Sequence, residues 1–224
     1  MKARKVYEFV NPREKGFKKE DFGLGEIARV KKWFIDTFKD PSEYLDKIYQ
    51  EGEYIFIKKG LYIFDYLLKN PEVPIVFPMD NLKVNFISFS RTKIDRLPHS
   101  IITNQISFYI HDDYTFKFPK MLECNNLIFD GVFQLNSFFN KNTQTDLTIH
   151  NILNIIDSNV SSLPKMKGPA YYLFKRLGFY GEKLLETFPP SEMKKVAEWD
   201  INDPEEYAFM ERNRLKMDIP KRLV

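Results

Sequence analysis

The chain has 224 residues, a net charge of +3, an aromatic share of 16% with 21 Phe, and one cysteine. That apolar load can fill a core and excludes wholesale disorder, while the weak positive balance lacks the strong basic field of most nucleic-acid binders. A single thiol excludes an internal disulfide, and no window reaches the roughly 18 apolar residues of a membrane span.

The opening, Met1 to Tyr7, is charged but has no apolar h-region. No secretory signal is predicted, and a cytoplasmic setting is expected. Positive charge concentrates early: residues 1–40 hold 11 Lys/Arg against 7 Asp/Glu, whereas residues 84–165 hold 7 of each. Arg13, Lys15, Lys18, Lys19, Lys31 and Lys32 form the candidate basic patch. From Leu24 to Phe38, Leu24, Ile27, Ala28, Val30, Phe34 and Phe38 recur mostly at three- or four-residue steps, which predicts a helix. Asp40 as cap and Pro41 at the first turn predict a second helix from Ser42 to about Tyr49, with Tyr44, Leu45 and Ile48 inward. After Gly52 the period becomes two. Tyr54, Phe56, Leu61 and Ile63 flank Lys58-Lys59-Gly60, which predicts a hairpin or two adjacent strands closing the open end of the next segment.

The strongest pattern lies between Val76 and Phe174. A triplet of Ile or Leu, any residue, then Phe or Ile occurs at Ile87-Ser88-Phe89, Ile106-Ser107-Phe108, Leu127-Ile128-Phe129 and Leu147-Thr148-Ile149. Tyr172-Leu173-Phe174 is a looser copy. The anchors step by 19, 21, 20 and 25 residues. Asn85, Asn104 and Asn125 each stand two residues before an anchor. An apolar residue before proline recurs at Phe77-Pro78, Leu97-Pro98, Phe118-Pro119 and Leu163-Pro164, eight or nine residues before an anchor; Phe138-Phe139 takes the slot before Leu147. Two marks in one register predict a solenoid with one short strand per coil. Stacked coils form a parallel sheet with a buried inner face. Proline, which cannot donate to a ladder, belongs in the return segment. The asparagines either bridge backbone groups of neighbouring coils or serve as plain turn residues.

The segment Val84 to Pro98 is the clearest unit. It resembles the short, irregular leucine-rich repeats of proteins encoded by large tailed bacteriophages and some bacteria. Lys5-Val6-Tyr7-Glu8-Phe9 and Phe22-Gly23-Leu24-Gly25 are similar to the N-terminal caps of such phage proteins. The resemblance covers residues 60–175, about half of the chain. It departs from the family in its many inner Phe residues, in the unit from Leu127 that lacks Leu-Pro, and in a long unit from Leu147. It implies a short, irregular horseshoe, a binding habit and, if the chain is phage-encoded, a place in the host cytoplasm or the virion. It carries over no catalytic residue.

Beyond Gly178 the repeats stop. Glu182 to Phe188 and Ser191 to Trp199 are expected as helices. Asp203-Pro204-Glu205-Glu206 predicts a last one to about Met217, with Tyr207, Met210, Arg214 and Met217 along a stripe. It serves either as a cap over the solenoid edge or as a partner-binding element.

Little chemistry is legible. His99, His111 and His150 lack the spacing of a metal pair, and one cysteine cannot complete a zinc site. His111-Asp112-Asp113 is a polar loop insertion, and Phe22-Gly23-Leu24-Gly25 a cap turn rather than an anion cradle. Cys124 is expected as a buried structural thiol. No catalytic constellation, cofactor, metal or small-molecule ligand is implied.

The fold expected is α/β or α+β: a leucine-rich-like solenoid over residues 53–177, a helical N-terminal cap over 1–52, and a helical cap or tail over 178–224. An irregular α+β domain is the rival. The function expected is a non-enzymatic protein-interaction module, with outward strand residues Ser88, Ser107, Tyr109, Ile128 and Thr148 as the partner face. The alternatives are a virion or assembly subunit docking through its helical termini, and nucleic-acid contact through the basic patch with Trp33 and Phe17 as stackers.

Overall fold

The computed structural model describes residues 25–109, 117–132, 135, 139–140, 144–177 and 179–200. The basic residues Arg13, Lys15, Lys18 and Lys19, Phe17, the His111-Asp112-Asp113 insertion, Phe138 and the helix expected from Asp203 lie outside them.

Helix α1 (Glu26–Thr37) and the single turn α2 (Ser42–Leu45) come first. Val30 and Phe34 of α1 are fully buried, as the period predicted. Ring contacts continue from Phe34 to Phe38 at 5.3 Å and to Tyr44 at 4.8 Å. The second helix is shorter than expected. Its predicted inner residue Ile48 instead begins strand β1 (Ile48–Glu51), which pairs antiparallel with β2 (Tyr54–Ile57).

From β2 onward the chain coils. Strands β2 and β3 (Leu61–Phe64) do not form a hairpin with each other. Both run parallel to β5 (Asn81–Ser90), one along each half of it. Then β5, β7 (Ser100–Tyr109), β8 (Met121–Asp130), β9 (Asp146–Ile156) and β10 (Tyr171–Lys175) stack in parallel order. The result is a parallel β-solenoid of about five turns. A second, smaller ladder joins β4 (Ile75–Val76) to β6 (Ile94–Arg96) and continues as a bridge from Arg96 to Lys117.

The strands are longer than the three-residue segments expected, and each has two halves. In β5 the inward residues are Leu82 and Val84, then Ile87 and Phe89. Asn85 and Phe86 both stand outside, so the two-residue alternation slips by one. Pairing skips Asn85, Asn104 and Asn125, and the strands turn a corner there. The asparagines stay exposed on that corner, and two of them bond side chain to side chain: Asn125 Nδ2 donates to Asn104 Oδ1 at 2.6 Å.

The register corrects one triplet. Leu127 pairs with Leu153, not Leu147, and Leu147 pairs with Leu122 in the first half of the strand. The two triplets Leu147-Thr148-Ile149 and Leu153-Asn154-Ile155 carry the same pattern, so sequence alone could not separate them. With Leu153 as anchor, the irregular length moves to the connection between Asp130 and Asp146. The last step to Tyr172 becomes as short as the first.

The core lies inside the coil. One inward row runs Ile63, Phe89, Phe108, Phe129, Ile155 and Phe174 through successive strands. Phe89 and Phe108 stack at 5.2 Å and 8°, and Phe108 and Phe129 at 5.4 Å and 12°. The residues before the prolines face the same core from the return segments: Phe77, Leu97 and Phe118 are buried. Phe139 closes the row against Phe129 at 5.4 Å.

A further periodic feature escaped sequence reading. The residue two beyond the last inward residue of β5, β8, β9 and β10 adopts positive φ: Arg91 (51°), Gly131 (70°), Asp157 (47°) and Arg176 (50°). Two are arginines, one is glycine and one aspartate, so no single residue signature marks the turn. At the far end the structure departs from the expected helical run. Helix α3 (Phe179–Thr187) and the turn α4 (Pro190–Met193) are followed by strand β11 (Val196–Asp200), parallel to β10. Ser191 to Trp199 is therefore mostly not helical, and the sheet extends past residue 177. The reason is backbone pairing: β10 leaves a free edge, and Tyr172 N–H donates to the Lys195 carbonyl at 3.0 Å.

Phe108 stacks on a ring both above and below, so truncation leaves a cavity that neither neighbouring coil can fill. Phe108→Ala is expected to cost about 3–5 kcal/mol of unfolding free energy in urea titration. A loss under about 1 kcal/mol would show that the stacked row does not carry the core.

Candidate functional surfaces and a cleft at the last coil

The five residues expected to line a partner face divide into three groups. Ser88, Ser107 and Ile128 share one outward row, which runs Tyr62, Ser88, Ser107, Ile128, Asn154 and Leu173. Tyr109 is half-buried in the outward row two residues further along. Thr148 lies on the other half of the bent strand, in line with Lys83, Ile102 and Glu123. Asn154 continues the serine row in its place.

Ser88 and Ser107 are not exposed, at 1% and 0% of their accessible area. Strand alternation correctly put them on the outer face. It could not report that small side chains there are walled in by larger neighbours: Tyr62 and Phe86 beside Ser88, Gln105, Tyr109 and Ile128 beside Ser107. Gln105 Nε2 donates to Ser107 Oγ at 3.1 Å. Ser88 Oγ and Asn154 Oδ1, in the same row, are buried without a hydrogen-bonding partner. Around them polar residues alternate with large apolar ones. Phe64, Phe86, Ile128, Ile152 and Leu173 are half-buried, while Tyr62 and Tyr171 are exposed at 39% and 53%.

Of the basic patch, Lys31 and Lys32 sit half-buried on α1, and Lys32 Nζ bonds Asp36 Oδ2 at 2.6 Å. Trp33 is not free to stack on a base. Its ring packs on Phe34 at 4.9 Å and Phe77 at 5.1 Å, because α1 lays it against the first coil. His150 Nε2 lies 3.0 Å from Glu123 Oε1, and His99 Nδ1 lies 3.6 Å from Asp80 Oδ1. Among the described residues no group of three His, Cys, Asp or Glu could hold a metal ion, and no helix is long and apolar enough to cross a membrane. Cys124 is buried on the inner face, where desolvation pushes its thiol up to about 12. A thiol held protonated is a packing residue.

A second site was not visible in the sequence. The loop from Ser162 to Gly168 and the turn joining α3 to α4 enclose a half-open cleft of about 380 Å³ over Tyr172. Thr187 Oγ1 donates to the Ser161 carbonyl at 3.0 Å and ties α3 to the loop. Gly168 adopts φ 83°, and a Cβ there would meet the Ile149 carbonyl oxygen at 2.1 Å, so the loop approaches the sheet only as glycine. Leu163, Met166, Leu184 and Phe188 supply apolar wall. The floor is polar. Tyr172 hydroxyl donates to Glu192 Oε2 at 2.9 Å, and Lys195 Nζ donates to Glu192 Oε1 and Oε2 at 3.1 and 2.9 Å. The Lys195 hydrogen bond holds the Glu192 carboxyl below its ordinary range against a smaller opposing effect of burial. Burial, then the bond to Glu192, pushes the Tyr172 hydroxyl up. Glu192 and Lys195 lie three residues apart on the connection after α3 and Tyr172 on β10, so only the fold brings the tyrosine to the pair.

The chain matches no family model, no curated protein and no solved structure.

Ser107→Arg must bury an unpaired charge in the walled row and is expected to lower stability by at least ~2 kcal/mol. Ser88→Ala removes an orphan hydroxyl and is expected to be neutral or slightly stabilising. Urea titration of both variants checks the pair; equal, negligible effects would mean the row is open to water.

Glu192 has a depressed pKa in the folded state. Its contribution to stability is present above the ordinary carboxylate range and is lost as pH falls through the lowered value. The melting-temperature gap between the native chain and Glu192→Gln is expected to be positive at pH 7 and to close in acid. A gap independent of pH would remove the Lys195–Glu192–Tyr172 link as a source of stability.

Proposed function

We propose that this protein is a non-enzymatic interaction module that binds a partner protein through the outward face of the second strand halves. One observation carries the reading: that face carries large apolar and aromatic side chains (Tyr62, Phe86, Ile128, Ile152, Tyr171 and Leu173) between its polar residues, although the inner face of the same strands already fills the core. A solvated sheet face is ordinarily polar, and large apolar side chains clustered on one mark a contact surface. Successive strands are about 4.8 Å apart, so the strip from Tyr62 to Leu173 is roughly 25 Å long. That length suits a protein-sized contact with Tyr62 and Tyr171 as its exposed aromatic anchors. The resemblance of Val84 to Pro98 to phage leucine-rich proteins supports the same reading and makes a host factor the expected partner.

The test is affinity capture from host lysate with three forms of the chain. Tyr62→Glu/Tyr171→Glu disrupts the strip. Asp95→Lys, exposed on β6, leaves it intact. A stoichiometric protein held by the native chain and by Asp95→Lys, but at least ~10-fold depleted with the double variant, is the expected result. Equal capture by all three forms would move the interface off this face. Self-association or nucleic acid in place of a protein would overturn the reading.

A further inference from the structure

We propose that the cleft over Tyr172 binds a small amphipathic monoanion, an apolar stem carrying one carboxylate. The proposal is independent of the protein interface on the outward sheet face.

The charged residues lining the cleft are two lysines, Lys165 and Lys195, and one glutamate, Glu192. Glu192 already accepts from Tyr172 and from Lys195, so its charge is answered within the cleft. Lys165 is exposed and has no ion pair among the described residues. Lys195 offers three donors and uses two on Glu192. The balance is one unanswered positive charge with free donors, which selects a single anionic group. A cation would meet two ammoniums and a carboxylate that is already occupied.

The walls set the rest of the ligand. Leu163, Pro164, Met166 and Pro189 present apolar surface around the polar floor, backed by Leu184 and Phe188. Leu184 and Phe188 are 1% and 5% exposed and hold fixed positions in the core, while Leu163 and Met166 are only partly buried. A volume of about 380 Å³ lies at the small end of ligand sites. It admits an aryl or short alkyl chain and not a nucleotide with several phosphates. The floor is preorganised: Glu192 fixes the Lys195 ammonium through two hydrogen bonds, and Tyr172 fixes Glu192 from a sheet strand. Such a held donor binds a carboxylate without first losing its own freedom.

The experiment uses the full chain and three probes that share one stem: 4-phenylbutyrate, 4-phenylbutanol and 4-phenylbutylamine. Calorimetric titration is expected to show saturable 1:1 binding of the carboxylate, at least ~10-fold weaker binding of the alcohol and no binding of the amine. Lys195→Gln and Lys165→Gln are each expected to weaken the carboxylate and leave the alcohol unchanged. Met166→Glu, which places a like charge in the wall, is expected to abolish carboxylate binding. Thermal unfolding of each variant separates loss of the site from loss of the fold; if Lys195→Gln unfolds, Lys165→Gln carries the comparison. Equal affinity for all three probes would overturn the proposal, because the charge would then select nothing. So would the absence of saturation with the carboxylate up to about 10 mM, or carboxylate affinity unchanged in both lysine variants.

Discussion

The structure depends on keeping parallel coils in register. A parallel strand cannot close on itself by a tight turn, so each coil must return around the core before pairing again. The return is fixed by the stack of inward side chains. Phe89, Phe108 and Phe129 lie one above another with nearly parallel rings. A slip of one residue in any coil would turn its inner row outward and break the stack on both sides. Other features depend on that constraint. The connection after Asp130 can be longer than its neighbours because the ladder is judged by its inner rows, not by loop length. The corner can be marked by asparagines, because Asn85, Asn104 and Asn125 lie between the paired halves.

The same constraint shapes the outside. With the period set from within, the outward residues fall into rows as strict as the inner ones. A row of small side chains between larger ones becomes a closed furrow, which is why Ser88 and Ser107 are inaccessible although they point away from the core. The function of a solenoid resides in such rows, since they vary without disturbing the stack. Here the outward row sets small polar residues between Tyr62, Ile128 and Leu173.

The ends obey a different rule. A stacked sheet must stop, and each terminal strand leaves an edge of unpaired backbone groups. At the start, α1 lays Val30, Phe34 and Trp33 against the first coil. After β10 the chain leaves the repeat pattern, forms α3 and α4, and returns as β11. The cleft over Tyr172 is a by-product of that departure. Its polar floor forms because Tyr172 belongs to the sheet while Glu192 and Lys195 belong to the connection that comes back to it.

The period and the inward residues were legible along the chain. Ile87, Phe89, Ile106, Phe108, Leu127 and Phe129 could be read as core because alternation and a near-20-residue repeat are local properties of the chain. The residues before the prolines were legible for the same reason. Which of the twin triplets at Leu147 and Leu153 continues the row was decided only in three dimensions, since both have the same pattern and only pairing with Leu127 distinguishes them. Tertiary structure also decided the burial of Ser88, because a side chain's exposure depends on neighbours some 20 residues away in sequence. It turned Val196 to Asp200 into a strand by offering the free edge of β10. And it alone assembled Tyr172, Glu192 and Lys195, because the charge and walls of a cleft belong to no single segment of the chain.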